Sequence, residues 1–104
     1  MILTNWPTKD PREKLVAAFS FGPDLNAGET IESYSVACRS LDGGDTAPSA
    51  LLNGDAELSG SDVLQPFHAG VAGTYYSLDC VATLSSGRVL VLAGLFKVDY
   101  PTLG

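Results

Sequence analysis

The chain has few of the residues that most enzyme and metal sites use. It contains one histidine, His68, and two cysteines, Cys38 and Cys80, among 104 residues. A structural zinc site takes a larger set of Cys and His ligands, and a catalytic histidine needs a nucleophile and an orienting partner. No motif of either kind surrounds these residues. We therefore expect no catalytic residue, no metal and no cofactor.

Long apolar runs are also missing. The longest covers residues 89–96, a strand's length and well below the roughly 18 apolar residues that indicate a membrane-spanning helix. Residues 1–7 lack the basic start and the apolar run of a signal peptide. We expect a protein that is synthesised in the cytoplasm, stays soluble and has no membrane partner.

Positive charge is scarce. Six Lys and Arg oppose 12 Asp and Glu, which gives a net charge of −6. Such a surface repels a phosphate backbone on average. The one basic cluster, formed by Lys9, Arg12 and Lys14, is interrupted by Asp10 and Glu13. We expect no nucleic-acid partner.

The strongest pattern in the chain is an alternating segment after a glycine-punctuated turn. In residues 74–83, Tyr76, Leu78 and Cys80 share one parity with Ala82, while polar residues dominate the other. Successive side chains of a strand point to opposite faces, so this is a strand with one buried face. Gly73, at its start, is expected to supply a backbone conformation that other residues resist.

Similar alternation predicts further strands. Residues 15–21 and 33–39 alternate, residues 63–67 form a short strand whose Pro66 indicates an edge or an end, and residues 88–98 form a central or covered strand. A helix over residues 11–19 is the alternative for the first of these. Asn53-Gly54, between short apolar pieces, predicts a hairpin turn.

These elements predict an all-β fold: a single immunoglobulin-like antiparallel β-sandwich of about six or seven strands. The predicted organisation is an extended N-terminal arm at 1–12, the sandwich domain at 13–99 and a C-terminal tail at 100–104. Cys38 and Cys80 each lie on a strand and share parity with apolar neighbours. They either form a disulfide between the sheets or remain buried, reduced thiols, and the latter is favoured without an export signal.

Aromatic residues near the ends suggest contact surfaces. Trp6 either folds back onto the sandwich or carries the arm to a partner, where a buried aromatic side chain anchors contact. With it, Pro7, Tyr100 and Leu103 are the predicted partner-docking residues. Tyr75 and Tyr100 are also the features that would support recognition of a glycan or receptor.

Four motifs resemble a family of small structural proteins of tailed bacteriophages, commonly labelled phage fiber or virion structural proteins. They are Trp-Pro-Thr-Lys-Asp-Pro at 6–11, Gly-Glu-Thr-Ile at 28–31, Gly-Val-Ala-Gly-Thr-Tyr-Tyr at 70–76 and Ser-Gly-Arg at 86–88. The family often has Asp where Glu29 stands and Trp where Phe21 stands. The resemblance spans nearly the whole chain and implies no enzymatic activity.

From this resemblance we expect a non-enzymatic component of the virion. The first expectation is a capsid decoration protein that docks on the head. The alternatives are a fiber, head-to-tail or tail component, or a module that binds a host-surface glycan or receptor. The expected partners are other virion proteins, either the major capsid protein or connector and tail proteins, together with further copies of the chain itself.

Overall fold

The strands of this protein form two sheets that pack face to face. The computed structural model describes residues 2–101, and within them the chain forms seven strands and two short 3₁₀ helices. The strands are β1 (Ile2–Asn5), β2 (Leu15–Ser20), β3 (Ile31–Ser40), β4 (Glu57–Ser59), β5 (Asp62–Phe67), β6 (Thr74–Leu84) and β7 (Val89–Val98). The 3₁₀ helices cover Gly22–Asp24 and Pro48–Leu51. The predicted all-β sandwich is confirmed; its immunoglobulin-like character stays a prediction.

Sheet A has the order β1-β7-β6-β3 and sheet B the order β2-β5-β4. Neighbouring strands are antiparallel with one exception, β1 and β7, which are parallel. The strands predicted for the sandwich pair antiparallel, whereas β1, which lies in the predicted N-terminal arm, adds a parallel strand to sheet A. The physical reason is that β1 and β7 stand at opposite ends of the chain, so no tight turn joins them and imposes opposite directions.

The alternation in β6 has the predicted consequence. Tyr76, Leu78 and Cys80 are completely buried between the sheets, whereas Tyr75 and Val81 on the other face are exposed. β7 lies between β1 and β6, which is the central position predicted for it. The residue before β6, Gly73, has φ +86°, in the left-handed region that only glycine adopts readily.

Residues 15–20 form a strand, not the alternative helix. Ala17 and Phe19 face the core, and Phe21 after the strand is completely buried. A helix would put Ala17 and Phe21, four residues apart, on one side and Phe19 on the opposite side, whereas a strand puts all three on the buried face. Leu15, predicted to face the core with them, remains 38% exposed because it lies at the end of the sheet.

The segment around residues 48–54 differs from its prediction. Pro48–Leu51 is a 3₁₀ helix that buries Leu51, and Asn53-Gly54 does not connect two paired strands. Pro48 at the first position favours the helix, because its φ is already suitable and its missing N–H is not needed there. The hairpin turn lies further on, between β4 and β5, where Gly60 has φ +62°.

Pro66 lies in β5, the middle strand of sheet B, beyond the end of β4. Its carbonyl oxygen accepts a hydrogen bond from the backbone N–H of Asn53 at 3.0 Å, on the side away from β2. The missing N–H of Pro66 therefore falls where no ladder bond is required, which is how a sheet tolerates proline.

Trp6 connects the two sheets. Its indole lies 5.7 Å from the Phe19 ring and 6.2 Å from the Phe67 ring, both in sheet B. It also stacks at 6.0 Å on Phe96 of sheet A. Below the indole is Gly94 of β7, where any Cβ would overlap the ring. Glycine inside a strand often marks such a close approach, and here it provides the space for the indole.

An ion pair holds the opposite end of the sandwich. The Arg88 guanidinium donates two hydrogen bonds to the Glu29 carboxylate, at 2.9 and 2.6 Å. That carboxylate also accepts bonds from the Ser86 hydroxyl and from the Asn26 N–H. The Glu29 side chain is 6% exposed. These donors, Arg88 first, lower the pKa of Glu29 to about 2.

The Gly94→Ala variant tests whether the Trp6 indole packs directly on Gly94. Because a methyl group there overlaps the Trp6 ring, we expect it to lower the free energy of unfolding by about 1–3 kcal/mol, as overpacking does. In a Trp6→Leu background the same change is expected to cost less than about 1 kcal/mol. Urea unfolding followed by circular dichroism measures both, and equal costs in the two backgrounds would contradict the contact.

The Glu29→Gln variant tests the ion pair through its pH dependence. The pKa of Glu29 is lower in the folded chain than its ordinary value of 4.5. Its stabilising contribution is therefore present above about pH 4.5 and lost as the pH falls toward 2. We expect the variant to be less stable at pH 7 and to lose less stability over that interval. Thermal unfolding from pH 7 to 2 measures this, with Glu57→Gln as the exposed control; the same pH dependence in Glu29→Gln as in the parent chain would disprove it.

Candidate docking site

The N-terminal segment, which carries two of the predicted docking residues, is held against both sheets. The Trp6 N–H donates to the Leu95 carbonyl at 2.7 Å, and the Lys9 N–H donates to the Lys97 carbonyl at 2.9 Å. The segment thus continues alongside β7 after β1 ends. Trp6 is half-buried and Pro7 is exposed, so this part of the predicted arm lies on the sandwich and presents Pro7 to solvent.

Lys9 is buried, with 2% of its surface exposed. Its ammonium group donates to the carbonyl oxygen of Ala69 at 2.6 Å and to that of Asp10 at 2.9 Å. Burial lowers the pKa of Lys9, while the nearby carboxylates of Glu13 and Asp10 act in the opposite direction. A buried charge needs such partners. Lys9 therefore connects the N-terminal segment to the loop before β6.

The next turn is closed by Asp10. Its carboxylate accepts hydrogen bonds from the Arg12 guanidinium, at 2.9 and 2.6 Å, and from the Arg12 backbone N–H. These bonds lower the pKa of Asp10 to about 2. The Glu13 carboxylate in turn accepts from the Asp10 N–H at 2.8 Å. The turn fixes the direction in which the chain enters β2.

A groove runs between this segment and β2. Its volume is about 390 Å³, and residues 6–9 and Leu15–Ala18 form its two sides. Phe67 and Phe96 line it together with the Trp6 ring. Glu13 contributes the accessible charge at the groove, because the ammonium group of Lys9 is buried and bonded to two carbonyl oxygens. The groove is apolar and open to solvent, with a single acidic group at its margin.

Of the two C-terminal docking predictions, one falls on described residues. Tyr100 is 56% exposed, and the Arg12 guanidinium lies 5.6 Å from its ring centroid. Leu103 lies outside the described residues. Tyr75, the other exposed aromatic residue, is covered in the same way by Lys97 at 5.4 Å. Each exposed tyrosine ring thus already has a cation over it. The docking role of Trp6, Pro7, Tyr100 and Leu103 stays a prediction.

The two cysteines are both free and buried. They lie on the same sheet, since Cys38 is in β3 and Cys80 in β6, so neither faces the other across the two sheets. Burial raises the pKa of each thiol to about 12. Such thiols are poor nucleophiles at neutral pH, and they pack as small apolar side chains.

The turn before β6 is held by a tyrosine. The Tyr76 hydroxyl donates to the Asp45 carboxylate at 2.7 Å and accepts from the Val71 N–H at 2.9 Å. Burial, together with the bond to Asp45, raises the pKa of Tyr76 to about 12. The bond to Asp45 ties the loop after β3 to this turn, a contact that residue spacing alone did not indicate.

These contacts explain the motifs seen in the sequence. Residues 6–11 join the sheets, residues 28–31 and 86–88 meet in the Glu29–Arg88 pair, and residues 70–76 form the turn held by Tyr76. Within residues 2–101, no group of three or more His, Cys, Asp or Glu is arranged to hold a metal ion. In the same range, none of the helices has the length and apolar character needed to cross a membrane.

Sequence reasoning missed Lys9, Gly94 and Asp45 as residues that organise the site. Lys9 belongs to the basic cluster with Arg12 and Lys14, and Gly94 lies within the apolar run at 89–96, so neither residue stands out from its neighbours in the sequence. A glycine inside an otherwise bulky strand is a known signal of close approach, and it could have indicated that an aromatic group lies above β7.

Comparison with known proteins gives the family. The family model described as podophage GP4 fiber-tail adaptor protein gp77 matches residues 9–94, which is most of the chain. No curated protein matches. Trp6, Pro7, Tyr100 and Leu103 all lie outside the matched range. The match favours the tail over capsid decoration, which it does not support. The chain therefore belongs to the family of podophage GP4 fiber-tail adaptor proteins gp77 and is a small structural protein of the tailed-phage virion.

Proposed function

We propose that this protein is a non-enzymatic adaptor that attaches a fiber to the tail of a phage particle. The observation that carries the proposal is the family match over residues 9–94. An adaptor works through non-covalent contacts, so it needs a rigid scaffold and two exposed surfaces, and no reactive group. The contacts of Trp6, Lys9 and Glu29 provide the rigidity.

The chain offers more than one surface for such contacts. One is the apolar groove between residues 6–9 and β2. Another is the outer face of sheet A, where the apolar side chains of Leu3, Val81 and Val89 are exposed. An adaptor has to bind the tail and the fiber at once, and two separate apolar surfaces suit that task.

The predicted docking residues are part of the same proposal. Pro7 and Tyr100 present exposed side chains, and Trp6 takes part through the wall of the groove. Self-association and the division into an arm (1–12), a sandwich (13–99) and a tail (100–104) remain part of the proposal. β1 and Trp6 add the arm to sheet A, so removing it would test folding as much as docking.

Quantitative mass spectrometry of separated heads and tails tests the function. We expect this chain in tail fractions that carry fibers, in a number of copies similar to that of the fiber subunits. Tails assembled without it are expected to lack fibers while heads remain complete. Its recovery mainly from fiber-free heads, or normal fiber content in tails that lack it, would contradict the proposal. Copies are counted relative to a structural protein of the same fraction, which serves as the internal standard.

A further inference from the structure

The outer edge of β2 has no partner strand. Sheet B has the order β2-β5-β4, so β2 is hydrogen-bonded to β5 on one side alone. Within residues 2–101, no hydrogen bond outside the β2–β5 ladder involves a residue of β2. Residues 6–9 run on the far side of the groove, paired with β7 instead. Between the two segments there is an unfilled space.

The direction of the backbone groups identifies which residues face that space. The Phe21 N–H donates to Ser61, on the β5 side, at 3.0 Å. Since backbone groups of a strand alternate in direction, those of Val16, Ala18 and Ser20 point away from β5. Pro66 is opposite Val16 in the ladder, and its carbonyl group points away from β2. The two residues are therefore not hydrogen-bonded to each other, as expected if the Val16 backbone groups point away from β5.

Natural edge strands usually carry charges, proline or a covering element that prevents unwanted pairing. β2 reads Leu-Val-Ala-Ala-Phe-Ser and has none of these. The other edges differ: β1 and β4 are four and three residues long, and β3 carries Glu32 and Arg39. β2 is thus the one edge among the described strands that combines six residues with no charge.

A strand added to this edge would direct every second side chain into the groove. Ala17 and Phe19 point inward from β2, and an added strand in register has the same pleat. Its inward side chains would meet the rings of Trp6, Phe67 and Phe96. Backbone bonds would supply affinity, and the groove would select a large apolar side chain.

The charge around the groove indicates the chemistry of the partner. Glu13 lines the groove with an exposed carboxylate, Lys9 is bonded to two carbonyl oxygens, and Arg12 is paired with Asp10. Lys14 is exposed but does not line the groove. The whole chain carries −6, which disfavours a second copy. A basic residue next to an apolar one complements this surface.

We propose that the edge of β2 binds an extended segment of another virion protein by strand addition. The segment alternates apolar residues, places a large one in the groove and carries a Lys or Arg that reaches Glu13. This rests on the proposed function in one respect, that the partner belongs to the tail or its fiber. Ala18 and Val16 supply the backbone groups that the segment pairs with.

The test is incorporation of variants into particles of a phage that lacks the gene. Ala18→Pro removes an N–H that has no partner within the described chain, so it blocks the edge without breaking the β2–β5 ladder. We expect about tenfold or greater loss from tails. Val16→Lys is the second blocking variant, because Val16 is exposed and a lysine there both protects an edge strand and repels a basic partner segment. Ser35→Lys, exposed on β3, is the matched control and should be incorporated normally.

Purified variants are first checked by thermal unfolding, and variants that do not fold are excluded from the assay. Normal incorporation of folded Ala18→Pro or Val16→Lys overturns the β2 edge and leaves the adaptor function intact. Absence of the parent chain from tails overturns the adaptor function itself. A dimer of the parent chain in analytical ultracentrifugation that becomes a monomer in Ala18→Pro makes a second copy the occupant, which overturns the proposed partner.

Glu13→Gln tests whether the Glu13 carboxylate attracts a basic residue of the partner segment. It keeps an oxygen that can accept from the Asp10 N–H, so the turn is preserved, while the carboxylate charge is removed. We expect incorporation to fall about two- to fivefold, the range of an exposed ion pair. Glu57→Gln, on β4, is the control. Equal incorporation of Glu13→Gln and the parent chain would contradict the basic residue in the partner segment.

Discussion

The fold depends on the position of one indole. Trp6 lies between the sheets, stacked on Phe96 and close to Phe19 and Phe67, and this position exists because residue 94 has no side chain. A sandwich of 104 residues has a limited core, so a large side chain that contacts both sheets adds substantially to the packing. The pairing of β1 with β7 places Thr4 opposite Gly94 and so brings Trp6 to this position.

The same geometry produces the open edge. Because residues 6–9 are paired with β7, they cannot also pair with β2, and an apolar groove remains between them. Lys9 and Asp10 then hold the segment at that distance. An adaptor needs surfaces that bind other proteins through non-covalent contacts. An uncharged strand edge beside an aromatic groove is a surface of this kind.

Much of the fold could be predicted from the sequence. The alternation of apolar and polar residues marks the buried face of β6, and the apolar run of β7 marks a strand with a neighbour on both sides. Both signals lie within the sequence of the strand itself. The parallel β1 and the 3₁₀ helix at Pro48–Leu51 could not be predicted, because each depends on contacts with distant residues. For the site, the sequence leaves two alternatives for Trp6, folding back onto the sandwich or docking on a partner. Gly94 and Lys9 could not be foreseen as its neighbours, because they act across about 60 or more residues of chain.

Residue-resolved amide hydrogen exchange of the isolated chain tests both the pairing of residues 6–9 with β7 and the open edge of β2, since exchange reports which amides are hydrogen-bonded. We expect the amides of Trp6 and Lys9 to be protected together with those of β7, to whose carbonyl groups they are bonded. We expect the amides of Val16 and Ala18 to exchange quickly, as those of an unpaired edge. Protection at Val16 and Ala18, or fast exchange at Trp6 while β7 is protected, would contradict these expectations.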